Sequence, residues 1–103
     1  MPANTKEDVF AVLLDSNVLL KDLGVKRCGL FGSFVRGEQG PESDVDILVE
    51  FEEGRKSFDN FMRLAFFLEE ALGRRVDLVT PESLSQHTGP RILREVEYEP
   101  VGT

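Results

Sequence analysis

One stretch of the chain, residues 32–51, restricts the possible folds and chemistries more than any other. A Gly-Ser step directly follows an apolar run that ends at Phe31, ten residues come next, and Asp44 and Asp46 then begin a second apolar run. Side chains alternate along an extended strand, so the two aspartates are predicted to face one side of a sheet. Two carboxylates in one small volume repel each other. The pattern therefore favours a bound divalent cation, and Mg²⁺ suits carboxylate and phosphate oxygens.

Gly32 and Ser33 supply the complementary half of such a site, an anion-binding turn. A turn that leads from a strand into a helix presents unpaired backbone N–H groups at the positive end of the helix dipole. Glycine lets a phosphate approach the backbone closely. Arg36 lies about one helical turn further on, so its guanidinium can reach the same volume and bind an anion through two hydrogen bonds. Together these residues predict a site that handles phosphate.

In these residues the chain resembles the minimal nucleotidyltransferases of the DNA polymerase β superfamily. Their signature is Gly-Ser, about ten residues and Asp-x-Asp, which Gly32, Ser33, Asp44 and Asp46 match without a gap. The family has a third carboxylate on a later strand, and Asp77 is the matching position. The resemblance covers most of the chain and implies an α/β (α+β) fold. This fold is the nucleotidyltransferase palm, a small mixed β-sheet with helices packed mainly on one face.

The resemblance also implies a reaction, the transfer of a nucleoside monophosphate, AMP from ATP, to a hydroxyl acceptor. Three carboxylates would be the catalytic residues and would hold two Mg²⁺ ions: Asp44, Asp46 and Asp77. The β- and γ-phosphates of ATP would be bound by the anion-binding turn: Gly32, Ser33 and Arg36. Asp77 could in addition accept the proton of the acceptor hydroxyl.

A domain of this size implies a partner, because larger relatives use added domains to complete the substrate cleft. The resemblance points to antitoxins that neutralise a helical HEPN-type toxin, an RNase, by binding it and by transferring AMP to one of its tyrosines. A homodimer would be another way to complete the cleft. Two alternatives from other classes remain: a non-catalytic antitoxin or binding module that acts on a helical partner by contact, and nucleotidyl transfer to a small molecule.

Local explanations exist for the same residues. Gly40, Pro41, Ser43 and Asp44 are of the types that dominate turns, and they could join two strands without any chemistry. Asp77 interrupts an apolar run, which predicts a buried carboxylate that needs a partner. That partner would be a metal ion or, in a purely structural explanation, Arg75.

Composition limits the function further. The chain has 103 residues, which predicts one nucleotidyltransferase domain over residues 1–103. Its net charge of −7 disfavours direct binding to nucleic acid. With a single cysteine, no membrane-length apolar run and no signal-peptide pattern, we expect a soluble, cytoplasmic protein. A local positive patch near the cleft could still form from six arginines: Arg27, Arg36, Arg55, Arg63, Arg74 and Arg75.

Helices and strands are predicted to alternate along the chain. Helices are expected over residues 5–23, 33–37 and 57–72, with a short one from residue 80, and strands over 25–31, 44–51 and 74–80. The helix over 57–72 is so apolar that Phe66 or Phe67 could be left exposed for a partner. Residues 90–98 form either a helix or a short helix followed by a strand through Val96, Tyr98 and Val101. Cys28 is predicted to be a small buried side chain, and His87 an exposed one without a chemical role.

Overall fold

Four strands and five α-helices are formed by residues 2–100, the part of the chain that the computed structural model describes. In chain order the elements are α1 (Lys6–Asp15), α2 (Asn17–Asp22), β1 (Val25–Phe31), α3 (Ser33–Arg36), β2 (Val45–Phe51), α4 (Phe58–Leu72), β3 (Val76–Val79), a 3₁₀ turn (Pro81–Ser83), α5 (Gly89–Glu95) and β4 (Glu97–Pro100).

The strands form one mixed sheet in the order β3-β2-β1-β4. β2 and β3 are parallel and are joined by α4, whereas β1 pairs antiparallel with both β2 and β4. This register places Phe31 opposite Asp46, and Asp46 beside Asp77. The predicted α/β fold with a small mixed sheet is confirmed.

The two faces of the sheet are covered unequally. Val45, Ile47 and Val49 of β2 point to one face and are fully buried in a core formed with α1, α2 and α4. Leu48 points to the opposite face, where a smaller cluster includes Ile92 of α5. β2 is therefore buried on both faces, as its continuous apolar run predicts, and the helices pack mainly on one side.

The helix predicted over residues 5–23 is two helices that meet at Ser16. Its start is confirmed, because the Thr5 hydroxyl accepts a hydrogen bond from the Asp8 amide at 3.1 Å. The interruption falls in the sequence Asp-Ser-Asn, residue types whose side chains compete for backbone hydrogen bonds and weaken a helix interior. α4 is bounded as predicted, with Ser57 as its N-cap and Gly73 ending it at φ +66°.

The end of the chain follows the second of the two predicted alternatives, a short helix and then a strand. β4 pairs with β1, and this pairing brings the end of α5 back onto the turn at Gly32. Val101 lies outside the described residues. Burial raises the pKa of the Cys28 thiol to about 12, which confirms it as a core side chain. Among residues 2–100 no helix combines the length and the hydropathy needed to cross a membrane.

Arg74 connects three separate segments. Its guanidinium donates hydrogen bonds to the carbonyl oxygens of Ala3, Gly40 and Ser43, the last two at 3.0 and 2.9 Å. The guanidinium carbon also lies 5.0 Å from the ring centroid of Phe34 in α3. Arg74 thus holds the loop that precedes Asp44 against α3, and it does not contribute to a positive patch at the cleft.

We expect Arg74→Ala to lower the free energy of unfolding by about 2 kcal/mol, because it leaves several carbonyl groups without a charged donor. Arg75→Ala is the matched control, since the Arg75 side chain is exposed and has no hydrogen bond within residues 2–100. Urea denaturation measures both variants. Equal losses in the two variants would contradict the bracing role of Arg74.

Candidate active site

A cavity of about 420 Å³ opens on the less covered face of the sheet, between the first residues of β2 and β3, the turn after β1, and α5. Four of the residues predicted from the sequence line it: Gly32, Arg36, Asp46 and Asp77. The opposite wall is formed by the 3₁₀ turn, α5 and the segment between them. It includes Arg91, Glu95 and a group of hydroxyl side chains: Ser83, Ser85 and Thr88.

Gly32 and Asp46 are in direct contact, which joins the two halves of the sequence motif. Gly32 has φ +80°, a backbone conformation that residues with a side chain rarely adopt. A β-carbon at this position would lie 2.1 Å from Oδ2 of Asp46. Glycine is therefore required both by the turn and by the carboxylate that packs against it.

Asp46 is half-buried, and Asp77 lies beside it in the parallel register. Burial, followed by repulsion from Asp77 and Asp44, raises the pKa of Asp46 to about 6. The expectation that Asp77 is buried is wrong: its side chain is exposed, because β3 is an edge strand and its face is open at the cavity. Within the described residues Asp77 forms no ion pair, so the structural pairing with Arg75 is not observed.

Asp44 and Ser33 are close in sequence to residues that line the cavity, but they do not line it themselves. Asp44 is exposed and precedes β2 by one residue, close enough to raise the pKa of Asp46. Over residues 2–100, no three carboxylate, imidazole or thiol groups are arranged to hold a metal ion. The cavity itself thus presents two carboxylates, and the third, Asp44, stands at its margin.

The anion-binding turn already holds a carboxylate, that of Glu95. The Gly32 amide donates to Oε2 of Glu95 at 2.8 Å, and Nη1 of Arg36 donates to both Glu95 oxygens at 3.0 and 3.2 Å. Burial opposes ionisation of Glu95, but the hydrogen bonds from Gly32 and Arg36 outweigh it and lower its pKa. Nε of Arg36 pairs with Glu38 at 2.8 Å. The Gly32 amide and the Arg36 guanidinium therefore bind one carboxylate together.

Sequence reasoning missed Glu95 and Arg91, which lie on α5, in the segment whose secondary structure was ambiguous. The only local signal was the run of charged residues near the end of that helix. The predicted patch of six arginines is also wrong, because only Arg36 among them lines the cavity. Arg27, for example, pairs with Glu50 at 2.8 Å and stacks on Tyr98 near the start of β1, at the opposite end of that strand from Gly32.

Comparison with known proteins defines the class. The chain belongs to the nucleotidyltransferase domain family, whose model matches residues 16–99. It is 45% identical over 95 residues to the protein adenylyltransferase MntA of Thermococcus cleftensis, an alignment that covers 91% of this chain and 95% of that protein. The predicted family and enzyme class, a nucleotidyltransferase, are confirmed.

Solved structures agree with this assignment. A structure described as a minimal nucleotidyltransferase superposes with a TM-score of 0.72 at 39% identity and covers 89% of both chains. A toxin–antitoxin structure with AMP-PNP gives 0.69 at 27% identity, covering 86% of this chain and 70% of that one. A tri-AMPylated Shewanella oneidensis HEPN toxin in complex with an MNT antitoxin gives 0.56 at 25% identity, covering 84% and 70%.

We expect Asp46→Asn to stabilise the fold at neutral pH. The raised pKa of Asp46 means that the folded protein holds a proton more tightly than the unfolded chain. The contribution of this proton to the free energy of unfolding is fully present below about pH 4 and is lost as the pH rises through about 6. Asparagine carries no charge over this range, so the variant does not lose stability in this way. The expected gain at pH 7.5 is about 1 kcal/mol, well below the value for the full shift, because water reaches much of the side chain.

Urea denaturation at pH 4 and pH 7.5 measures this effect. Asp15→Asn, an exposed carboxylate on α1, serves as the control and should change neither value by more than about 0.5 kcal/mol. A loss of stability in Asp46→Asn at pH 7.5 would show that its charge is already compensated.

Proposed function

We propose that this chain transfers AMP from ATP to a tyrosine hydroxyl of a helical HEPN-type toxin and thereby acts as its antitoxin. The observation that carries the proposal is the convergence of Asp46, Asp77 and Arg36 on one cavity, with Gly32 packed against Asp46. The similarity to a protein adenylyltransferase, to a toxin–antitoxin with AMP-PNP and to an AMPylated toxin complex supports both the nucleotide and the acceptor.

The donor set fits Mg²⁺. Asp46 and Asp77 present hard oxygen ligands in one cavity. Burial, and then repulsion from Asp77, raises the pKa of Asp46, and a bound cation would offset both effects. Asp46 and Asp77 would hold the ions, joined by the exposed Asp44 once its side chain turns inward. Bound there, Mg²⁺ would neutralise the charge that develops on the transferred phosphoryl group.

The triphosphate is bound by the groups that now hold Glu95. The Gly32 amide and the Arg36 guanidinium donate to two carboxylate oxygens, and phosphate oxygens accept the same hydrogen bonds. Ser33 follows Gly32 directly, at the start of α3. Binding of the β- and γ-phosphates at this turn fixes the direction in which pyrophosphate leaves.

The transfer is a single in-line displacement. The acceptor oxygen attacks the α-phosphorus, the bond between the α-phosphorus and the bridging oxygen breaks, and pyrophosphate departs toward Arg36. The proton of the acceptor hydroxyl passes to Asp77, which is exposed at the cavity and can therefore approach an incoming substrate. The cavity is open on the side of β3, so the acceptor protein, or a second copy of this chain, completes it.

Asp46→Asn and Asp77→Asn are each expected to reduce the rate of AMP transfer at least about 100-fold, because loss of one group that stabilises charge in a transition state typically costs this much. The assay follows label from ATP, with Mg²⁺, onto a co-purified helical toxin. Asp59→Asn is the matched control, since Asp59 is an exposed carboxylate on α4 that pairs with Arg63. If the wild type silences the toxin without labelling it, the chain is a binding module.

We expect Glu95→Gln to tighten ATP binding about fivefold, equivalent to about 1 kcal/mol, because a neutral amide competes less well for Gly32 and Arg36. Calorimetric titration with ATP measures the change. Glu97→Gln provides the control, since Glu97 pairs with Lys6 away from the cavity. Weaker ATP binding in Glu95→Gln would mean that Glu95 shapes the turn and does not compete for it.

A further inference from the structure

Among residues 2–100, two positively charged side chains line the active-site cavity, Arg36 and Arg91. Arg36 is paired with Glu38 and Glu95. Arg91 is exposed on α5 and, within the same residues, forms no hydrogen bond and no ion pair. The guanidinium of Arg91 therefore keeps its N–H donors available for a ligand.

The helical spacing of α5 directs Arg91 toward the cavity. Arg91, Ile92 and Glu95 line the cavity and lie on one face of the helix, whereas the neighbouring Arg94 does not line it. Glu95 accepts the hydrogen bond of the Gly32 amide, and the nearby charge of Arg91 helps to lower the pKa of Glu95. Arg91 thus lies on the same side of α5 as the carboxylate that occupies the anion-binding turn.

The course of α5 sets the position of Arg91 relative to the anion-binding turn. The helix begins beside Leu84, which belongs to the same apolar cluster as Val79 of β3, and it ends with Glu95 at Gly32. Arg91 precedes Glu95 by four residues, which corresponds to about 6 Å along the helix axis. Arg91 is therefore displaced from the turn toward the β3 side of the cavity.

The two carboxylates of the cavity lie in the same direction from the turn. The turn follows β1, Asp46 lies on β2 and Asp77 lies on β3, and these strands are adjacent in the order β3-β2-β1. Asp46 and Asp77 line the cavity from the sheet, and Arg91 lines it from α5. A molecule that extends from the turn into the cavity thus meets carboxylates on one wall and an unpaired guanidinium on the other.

A triphosphate bound at the turn extends into this space. In the proposed function its β- and γ-phosphates take the place of the Glu95 carboxylate, so the α-phosphate comes next, beside Asp46 and Asp77. Negative charge is redistributed over the oxygens of this group during transfer. The carboxylates cannot donate to those oxygens. A guanidinium can, because its planar fork of N–H groups matches two phosphate oxygens.

We propose that Arg91 binds the α-phosphate of ATP and holds it against the carboxylates for transfer. The assignment rests on the proposed function and names the residue that positions the phosphorus under attack. Arg91 forms no bond to phosphorus and takes no proton, so the displacement is unchanged. Arg91 stays with the AMP group and Arg36 with the pyrophosphate, and the two products are thereby bound by separate arginines.

The first test compares ATP with pyrophosphate, which lacks the α-phosphate and the nucleoside. Arg91→Gln should raise the Kd for ATP about tenfold, because it removes a charge-assisted contact, and should leave the Kd for pyrophosphate within about twofold. Calorimetric titration with Mg²⁺ present measures both, and unchanged pyrophosphate binding shows that the variant is folded. Arg94→Gln is the matched control, since Arg94 is exposed on the same helix and does not line the cavity.

The second test identifies the phosphate and does not depend on transfer activity. ³¹P NMR resolves the α-, β- and γ-phosphorus resonances of bound ATP. Arg91→Gln should displace the α resonance most, and Arg36→Gln should displace the β and γ resonances most. If the wild type labels no toxin, the proposed function is overturned, while this pattern of shifts would still support Arg91 as a ligand of the α-phosphate.

Four results would overturn the assignment. In the first, Arg91→Gln leaves the Kd for ATP unchanged or raises both Kd values equally. In the second, Arg94→Gln weakens ATP binding as much as Arg91→Gln, which would indicate a general effect of charge. In the third, Arg91→Gln no longer weakens ATP binding in a Glu95→Gln background, which would show that Arg91 acts only through Glu95. In the fourth, Arg91→Gln leaves the α resonance in place.

Discussion

The contact between the Asp46 carboxylate and the backbone of Gly32 is the constraint on which the site depends. Antiparallel pairing places Phe31 opposite Asp46, so the turn that follows β1 lies directly against the first carboxylate of β2. No side chain can stand between them, since a β-carbon would lie 2.1 Å from the carboxylate oxygen. Anion-binding backbone and carboxylate are therefore held at a fixed separation by the sheet itself, which is a more rigid support than a loop.

This arrangement concentrates negative charge at one face of the sheet. Asp46 is half-buried beside Asp77, and burial, followed by repulsion from Asp77 and Asp44, raises its pKa to about 6. The Arg36 charge offsets part of this effect, but Arg36 is also paired with Glu95 and Glu38. Groups that are poorly compensated in the protein alone are typical of functional sites. In the proposed function, the nucleotide and its cations complete the charge balance, with the triphosphate at Arg36 and Mg²⁺ at the carboxylates.

The edge strand β3 gives the domain its open side. It has four residues, carries Asp77 at the active-site cavity, and is covered on its outer side only in part by the start of α4 and the 3₁₀ turn. In the proposed function the acceptor protein approaches along this edge.

The sequence by itself determined the elements with strong local signals, such as α4 between Ser57 and Gly73, and the motif that identifies Gly32 and Asp46. It did not reveal that Glu95 occupies the anion-binding turn, because those residues are 63 positions apart and meet only when β4 pairs with β1. The exposure of Asp77 was likewise decided by the tertiary structure. Periodicity and capping extend over a few residues, whereas strand order and long-range pairing arise only when the whole sheet assembles.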